Sequence, residues 1–270
     1  MLASAIANDK AMTKTVLAAH GLPVIAEYIT VTRSAWSTRQ AELLAQITEQ
    51  VGYPAFVKPA TLGSSIGVAR VDDAEQATLH LNIALNLDSR VLVERAADRT
   101  STIEINCAVL GQGEQVRASV LEQPTGYQDV LGFEEKYLRV PSKGMASQER
   151  IIPAPLEPDL AQRIQAVAVQ AFQAIQGHGT ARLDFLVQPA NNLFWVNEIN
   201  TLPGSLGFYL WEASGMTPAA LCDELIRLAR AAHAEKTRNI YNYRTELVRL
   251  AASRGSKGSK GSKSATTPPG

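Results

Sequence analysis

Four polar residues set in two apolar segments carry the chemistry of this chain: Arg182, Asp184, Glu198 and Asn200. They lie in Arg182-Leu-Asp-Phe-Leu-Val and in Phe194-Trp-Val-Asn-Glu-Ile-Asn-Thr-Leu-Pro-Gly. Strand side chains alternate between faces, so Arg182 and Asp184 share a face, as do Glu198 and Asn200. Gln188-Pro-Ala-Asn-Asn between them reads as a hairpin turn,. An antiparallel pair then merges the two faces. Two carboxylates, an amide and a guanidinium come together among Leu, Val, Phe and Ile. Charges there are costly unless paired or bound to metal, so the alternatives are a cation site and a buried salt bridge to Arg182. Carboxylate and amide oxygens suit Mg²⁺, which usually also holds phosphate oxygens. A nucleoside triphosphate site is expected.

The elements that must position these groups follow from periodicity. Residues 9–20 read as a helix (Met12, Val16, Leu17) stopped at Gly21-Leu-Pro23,. A strand is expected near 24–31. A second helix is expected over 37–51, capped by Ser37 or Thr38, with Leu43, Leu44 and Ile47 as its stripe,. Short strands are expected at 55–59, 67–71 and 91–94, with a helix over 73–86 before the last. Strands at 101–110 and 115–122 turn at Gly111-Gln-Gly. Residues 123–150 read as a long loop, a length that is usually functional or mobile. A helix over 157–177, the charged hairpin and a helix near 217–233 complete the order. Two small sheets in an α+β chain fit this order better than one βαβ series. From Arg254 onward, Gly-Ser-Lys repeats read as a disordered tail,.

Other candidate groups lie outside the hairpin. Lys58, in Phe56-Val-Lys-Pro, is either a buried lysine that needs an anion or an edge-strand lysine reaching solvent. Gly63-Ser64-Ser65-Ile-Gly67 can converge backbone N–H groups and hydroxyls on an anion, or it is a simple turn. It is not a Walker loop, because no Gly-Lys-Ser/Thr follows. Glu94 and Glu104 are either acceptors for ribose hydroxyls or solvated carboxylates paired with Arg95 or Arg99. Glu134-Glu-Lys136-Tyr137 is either a segment that closes over substrate or a solvated charge cluster. The turn Asn200-Thr-Leu-Pro-Gly-Ser is placed to present backbone N–H groups.

Composition narrows the class. With 270 residues, 46% hydrophobic, and a formal net charge of +0, the chain can bury a sizeable core,. That balance gives no overall pull toward nucleic acid or an anionic membrane. The first residues lack a signal-peptide pattern and no apolar run spans a bilayer, so a cytoplasmic location is expected. Cys107 and Cys222 read as reduced core residues,. The histidines lack zinc-ligand spacing, and no Ser or Cys nucleophile constellation is present.

Taken together and in order, these pieces resemble the ATP-grasp superfamily, and within it the D-alanine–D-alanine ligases. The resemblance runs from Leu2 to about residue 233. It rests on the opening Leu-Ala-Ser-Ala-Ile-Ala-Asn-Asp-Lys10, on Val57-Lys58-Pro59, on Gly63-Ser-Ser-Ile-Gly67-Val, and on Ile103-Glu104-Ile-Asn-Cys-Ala-Val-Leu-Gly. Glu135-Lys136-Tyr137, Arg182-Leu-Asp184-Phe and Asn197-Glu198-Ile-Asn200-Thr-Leu-Pro-Gly complete it.

What it implies is an α+β ATP-grasp fold with ATP between two subdomains. A small subdomain is expected over 1–90, a large one with the metal site over 91–235, and an extension over 236–270. Lys10, Lys58, Glu94, Glu104, Gly63 and Gly67 would bind the nucleotide. Asp184, Glu198 and Asn200 would bind Mg²⁺ or Mn²⁺. Arg182, Lys136, Tyr137, Ser64 and Ser65 would be catalytic, with Arg182 on the oxyanion and Lys136 at the γ-phosphate. Gly204, Ser205, Tyr209 and Leu210 would meet the second substrate. The implied reaction joins a carboxylate to an amine through an acyl phosphate, with amino acids such as D-alanine as substrates, in peptidoglycan precursor synthesis. A homodimer, or a partner supplying the N-terminal domain that precedes this region in those ligases, is the implied association. Tyr209 stands where the family usually has serine, so another amino acid or a small peptide is an alternative second substrate. A non-catalytic ATP-binding domain is another alternative.

Overall fold

The computed structural model describes residues 1–125 and 150–239. Lys136, Tyr137, the rest of the expected loop up to residue 149 and the tail lie outside the described residues. Two compact units are distinguished, Met1–Arg230 and Ala231–Gly270. Of the second, the described residues carry the end of a helix and a short turn.

Two antiparallel sheets organise the first unit. The first contains β1 (Tyr28–Thr32), β2 (Ala55–Pro59), β3 (Ala69–Val71) and β4 (Arg90–Arg95) in the order β1-β4-β2-β3. Alternation sends Val57 into its core and Lys58 to the opposite face,. α3 (Arg33–Gln46), a π-helical turn (Ile47–Val51) and α4 (Ala74–Leu87) contribute Trp36, Leu43, Ile47, Leu81 and Leu85 to that core. α3 begins earlier than expected. Thr32 is its cap and accepts from the Ala35 N–H at 3.2 Å, while the Ser37 and Thr38 hydroxyls donate to the Ser34 carbonyl inside the helix. The reason is Trp36, buried with Leu43 and Ile47, which extends the apolar stripe one turn toward the N-terminus,.

The second sheet contains β5 (Ile103–Gln112), β6 (Gln115–Pro124), β7 (Arg150–Ile151), β8 (His178–Gln188) and β9 (Leu193–Asn200), ordered β7-β6-β5-β8-β9. One face packs Ile105, Cys107, Val109, Leu183, Phe185 and Val187 against α5 (Pro158–Ala174), with Ile164, Ala168 and Phe172 buried. The other face buries Ala108 and Leu110 under Leu210 and Trp211 of α6 (Phe208–Ala213) and under α7 (Pro218–Thr237). Two helices open the chain, α1 (Leu2–Asn8) and α2 (Lys10–Ala19). Asp9 caps α2, accepting from the Met12 N–H at 3.0 Å,.

Expected domain bounds and sheet membership differ. β4 pairs with β1 and β2, so the first sheet runs on to Arg95. Leu17 and Leu22 join the core of the second sheet. The chain thus packs first against the second sheet, builds the first, and returns. The second compact unit begins at Ala231 rather than at residue 236. Cys222 is exposed, unlike the buried Cys107, and both are free thiols. Burial pushes the Cys107 thiol up to about 12, so it stays protonated and inert,.

Two register shifts matter for the site. Between β8 and β9, Asp184 faces Glu198 but Phe185 faces Val196, leaving Asn197 as an extra residue,. Between β5 and β6, Cys107 faces Leu121 but Val109 faces Ala118. Each bulge reverses which parity of side chain meets the core.

Phe172→Ala removes a fully buried ring from the larger core and is expected to destabilise the protein by about 3–5 kcal/mol,. Leu79→Ala, on the exposed side of α4, is expected to change stability by no more than about 0.5 kcal/mol,. Urea denaturation of the two variants checks the contrast, and equal losses would contradict this core assignment.

Candidate active site

The hairpin brings together the four residues that spacing singled out. Arg182 faces Asn200 and Asp184 faces Glu198 across β8 and β9. Asn192, in the left-handed region at φ 56°, closes the turn,. Arg182 holds Asp184 bidentately, Nε donating to Oδ1 at 2.7 Å and Nη2 to Oδ2 at 2.8 Å,. Asn200 Nδ2 donates to Asp184 Oδ2 at 2.9 Å and to Glu198 Oε1 at 3.2 Å. The bulge at Asn197 permits this arrangement. Phe194 and Val196 go into the core, yet Glu198 and Asn200 emerge on the site face, with Ile199 again in the core.

The electrostatics record the crowding. Burial pushes the Asp184 carboxyl up to about 8; neighbouring Glu198 and Glu104 add to this and Arg182 opposes it,. Burial also works against the Glu198 carboxylate. Hydrogen bonds with Asn200 and Asp184, followed by the charges of Lys10 and Lys58, hold its pKa below the usual range. The Arg182 guanidinium is desolvated too, but Asp184 and then Tyr209 keep it firmly charged.

Three lysines converge on this edge. Lys58, on the cleft face of β2, pairs with Glu94 of β4 and reaches Asn197 Oδ1 of β9 at 3.4 Å, joining the two sheets. Glu94 also pairs with Lys14 of α2 at 2.7 Å. Lys10, one turn earlier on α2, donates to the Pro59 and Leu62 carbonyls, and Glu198 acts on it electrostatically. Burial lowers the pKa of both Lys10 and Lys14. For Glu94, burial is outweighed by Lys58 and Lys14, which hold it down at about 2. Glu94 is therefore neither a solvated carboxylate nor a partner of Arg95. It is the buried counter-ion of two lysines. Asp88 also acts on Lys10 and Glu27 on Lys14, so the three lysines sit in a mixed charge cluster beside Glu198.

The remaining candidates distribute unevenly. Gly63, Ser64, Ser65 and Gly67 form the turn between β2 and β3, anchored where Asp88 accepts from the Thr61 N–H and hydroxyl at 2.8 and 2.9 Å. Ser64 and Ser65 adopt φ 53° and 58°, a strained conformation found at ligand-binding turns,. Gly67, at φ 70°, is required by packing, since a Cβ there would lie 2.7 Å from Leu87 and 2.9 Å from Pro59,. Glu104 is exposed on the site face, two residues before Asn106. Gly204 and Ser205 lie in a turn in which Ser205, Leu206 and Gly207 are all left-handed.

Tyr209 donates its hydroxyl to Glu122 Oε2 at 2.9 Å. Leu210 is fully buried with Trp211 in the core, so its side chain is packing rather than a pocket wall.

Periodicity did not reveal Lys14, Asn197, Asn106, Glu122 or Arg150. Lys14 had a signal, since it stands one helical turn after Lys10 on an otherwise apolar face. Asn197 and Glu122 had none, because bulges decide where they point. Among the described residues no group of three or more His, Cys, Asp and Glu forms a metal site. The oxygen set here is two carboxylates with amides.

Glu94→Gln removes the counter-charge of Lys14 and Lys58 and is expected to destabilise by about 3–5 kcal/mol at neutral pH. Because Glu94 is held below its ordinary 4.5, its contribution is full above that pH and disappears as pH falls toward about 2,. Urea midpoints of variant and wild type, compared across that window, should converge in acid. A constant gap would contradict the ion-pair account.

Comparison with known proteins agrees with this geometry. Residues 16–227 match the family described as D-ala D-ala ligase C-terminus. The chain is 34% identical to a D-alanine–D-alanine ligase of Thermosipho africanus over 94% of its own length and 66% of the relative's. It is 37% identical to one from a Synechococcus strain, over 85% of its length and 64% of the relative's. The chain thus spans slightly less than two thirds of the curated relatives it matches. Among solved structures, the D-alanine–D-alanine ligase of Coxiella burnetii superposes with a TM-score of 0.70 at 30% identity, covering 95% of this chain and 64% of that one. A D-Ala:D-Ser ligase from Enterococcus faecalis gives a TM-score of 0.68 at 25% identity, covering 84% and 63%. Two antiparallel sheets, a carboxylate-bearing hairpin and lysines facing it are thus the α+β ATP-grasp arrangement, and the chain belongs to the D-ala D-ala ligase C-terminus family.

Proposed function

We propose that this chain is the ATP-grasp catalytic region of a D-alanine–D-alanine ligase-like enzyme, joining a carboxylate to an amine at the expense of ATP. One observation carries the reading. A row of Arg182, Asp184, Glu198 and Asn200 on one sheet meets Lys10, Lys14 and Lys58 around Glu94 at the edge of the other. The clustered lysines suit the phosphates of a nucleotide lying between the two subdomains.

The donor set fits Mg²⁺, which takes oxygens and needs few carboxylates when phosphates complete its shell. Burial raises the Asp184 carboxyl, with Glu198 and Glu104 adding to it, and a bound cation would favour its charged form,. Asp184 and Glu198 would hold the ion. Asn200 would join them once its amide turns its oxygen, since the nitrogen now faces both carboxylates. Such an ion neutralises charge on a transferring phosphoryl group.

The chain's own groups do the rest. Lys10 and Lys58 bind phosphate oxygens, and Glu104, on the site face of β5, accepts from ribose hydroxyls. Ser64 and Ser65 add donors from their turn. Arg182 stabilises the oxyanion formed when the amine attacks the acyl phosphate. Lys136 and Tyr137, outside the described residues, are assigned to closing the site by resemblance alone.

One observation favours a second reading, in which the amine substrate is another amino acid or small peptide. Tyr209 occupies the position expected for a serine, and its hydroxyl is engaged by Glu122. It cannot offer that proton to a substrate carboxylate without breaking this bond.

Phosphate release from Mg-ATP by the purified chain, with D-alanine and with a panel of other amino acids, tests both readings. Stimulation by D-alanine with dipeptide formed supports the first, and stimulation by another amino acid alone supports the second. No stimulated release would contradict both. Arg182→Lys is expected to lower turnover roughly 10²–10³-fold, the loss typical of an oxyanion donor. Asp184→Asn should lower it by orders of magnitude while the thermal transition stays cooperative.

A further inference from the structure

A row of polar side chains crosses the second sheet beyond the expected site. Glu122 of β6 faces Asn106 of β5, which faces Asp184 of β8, which faces Glu198 of β9. The bulge between β5 and β6 turns Glu122 to this face, although Val116 and Ala118 of the same strand pack on the opposite core. Glu122 is buried and well supplied with donors. Tyr209 donates to its Oε2 at 2.9 Å, Asn106 Nδ2 to the same oxygen at 3.4 Å, and Arg150 lies 3.4 Å from its Oε1 while stacking 4.2 Å over the Tyr209 ring.

Asn106 is the exception. Its side chain is buried, and among the described residues its Oδ1 has no hydrogen-bond partner. A carboxylate only accepts, so Glu122 obliges the Asn106 amide to present Nδ2 to it. Oδ1 therefore occupies the other branch of the amide, away from Glu122. A buried acceptor left unpaired is destabilising, and such orphans mark places where a ligand completes the bonding. Arg182 turns its Nε and Nη2 to Asp184, and neither it nor a neighbouring carboxyl donates to Oδ1. Among the described residues none supplies this donor, and a bound ligand can.

Its position says which donor. The lysines approach from the β9 side, where Lys58 reaches Asn197. Tyr209, Glu122 and Arg150 lie on the β6 side. Asn106 stands between Asp184 and that second group, hence on the side away from the phosphates. We propose that Asn106, oriented by Glu122, is a binding residue for the attacking amine, its Oδ1 accepting a hydrogen bond from the nucleophile's N–H. Glu122 and Tyr209 act as positioning residues for it. This rests on the ligase reading and names a group in the acceptor subsite that no motif indicates.

The test uses the full chain with Asn106→Thr and Asn106→Val. The two replacements are nearly isosteric and both suit a strand, and only threonine keeps an oxygen acceptor. Acyl phosphate formation is read separately, as hydroxamate made from ATP, Mg²⁺, D-alanine and saturating hydroxylamine. At saturating hydroxylamine acyl phosphate formation sets the rate, so hydroxamate is expected to form equally in wild type and both variants, with the KM for D-alanine as acceptor raised roughly tenfold or more in Val relative to Thr, the effect of one hydrogen bond from the ammonium of the bound amino acid. Equal acceptor KM in Thr and Val would overturn the proposal. A changed Mg²⁺ dependence of hydroxamate formation in Val would also overturn it, making Asn106 a cation ligand. If the wild-type chain formed no hydroxamate, the ligase reading itself would fall, and this inference with it.

Discussion

The pairing of β8 with β9, in one register and with one extra residue, is the constraint on which the site depends. Strand side chains alternate strictly, so a one-residue slip would exchange core and site faces. The sheet places Phe185, Val196 and Ile199 in the core and Arg182, Asp184, Glu198 and Asn200 on the other face. Both requirements are met only because Asn197 is bulged out between them. The displaced Asn197 side chain is then free to reach Lys58, so the same irregularity that orders the carboxylates also ties the two sheets together.

Charge compensation explains why the surrounding elements sit where they do. Asp184 is buried and Glu198 half-buried, and Arg182 and Asn200 bind them within the hairpin. Across the cleft, Glu94 answers Lys14 and Lys58. The lysines come from two elements distant in sequence, α2 and β2, and α2 also anchors its Leu17 in the core of the second sheet. The opening helices thus carry cations to the site while they pack, and the first sheet supplies the counter-ion. A phosphate-bearing ligand would draw on the lysines at one edge of the hairpin, while Asn106, Glu122 and Tyr209 form the polar row at the other.

Much of this was legible in the residues. The period-two spacing of the hairpin, its turn, the lysine in β2, the small-residue loop and the order of helices and strands all follow from local rules. The errors have local causes. α3 starts ahead of the stripe formed by Leu43, Leu44 and Ile47 because Trp36 extends that stripe toward the N-terminus. Of the two readings open for Glu94, the solvated carboxylate beside Arg95 or Arg99 is excluded, because alternation along β4 turns it toward Lys58 and Lys14. The Leu210 side chain fills the core with Trp211, which leaves only its backbone to meet a second substrate. Cys222 was taken for a core residue and is exposed on α7.

Sequence by itself determined which residues can do chemistry and which strands present them, because side-chain type and alternation are local properties. Tertiary structure decided what they face. Two bulges, invisible in any pattern of apolar and polar residues, reverse the parity of β6 and β9 and so bring Glu122 and Glu198 to one row. Long-range packing brought Lys14 to Glu94 and Tyr209 to Glu122, partners 80 and 87 residues away, and burial then set their protonation. A register shift is stabilised by the sum of contacts across a whole sheet, so no short stretch of sequence records it.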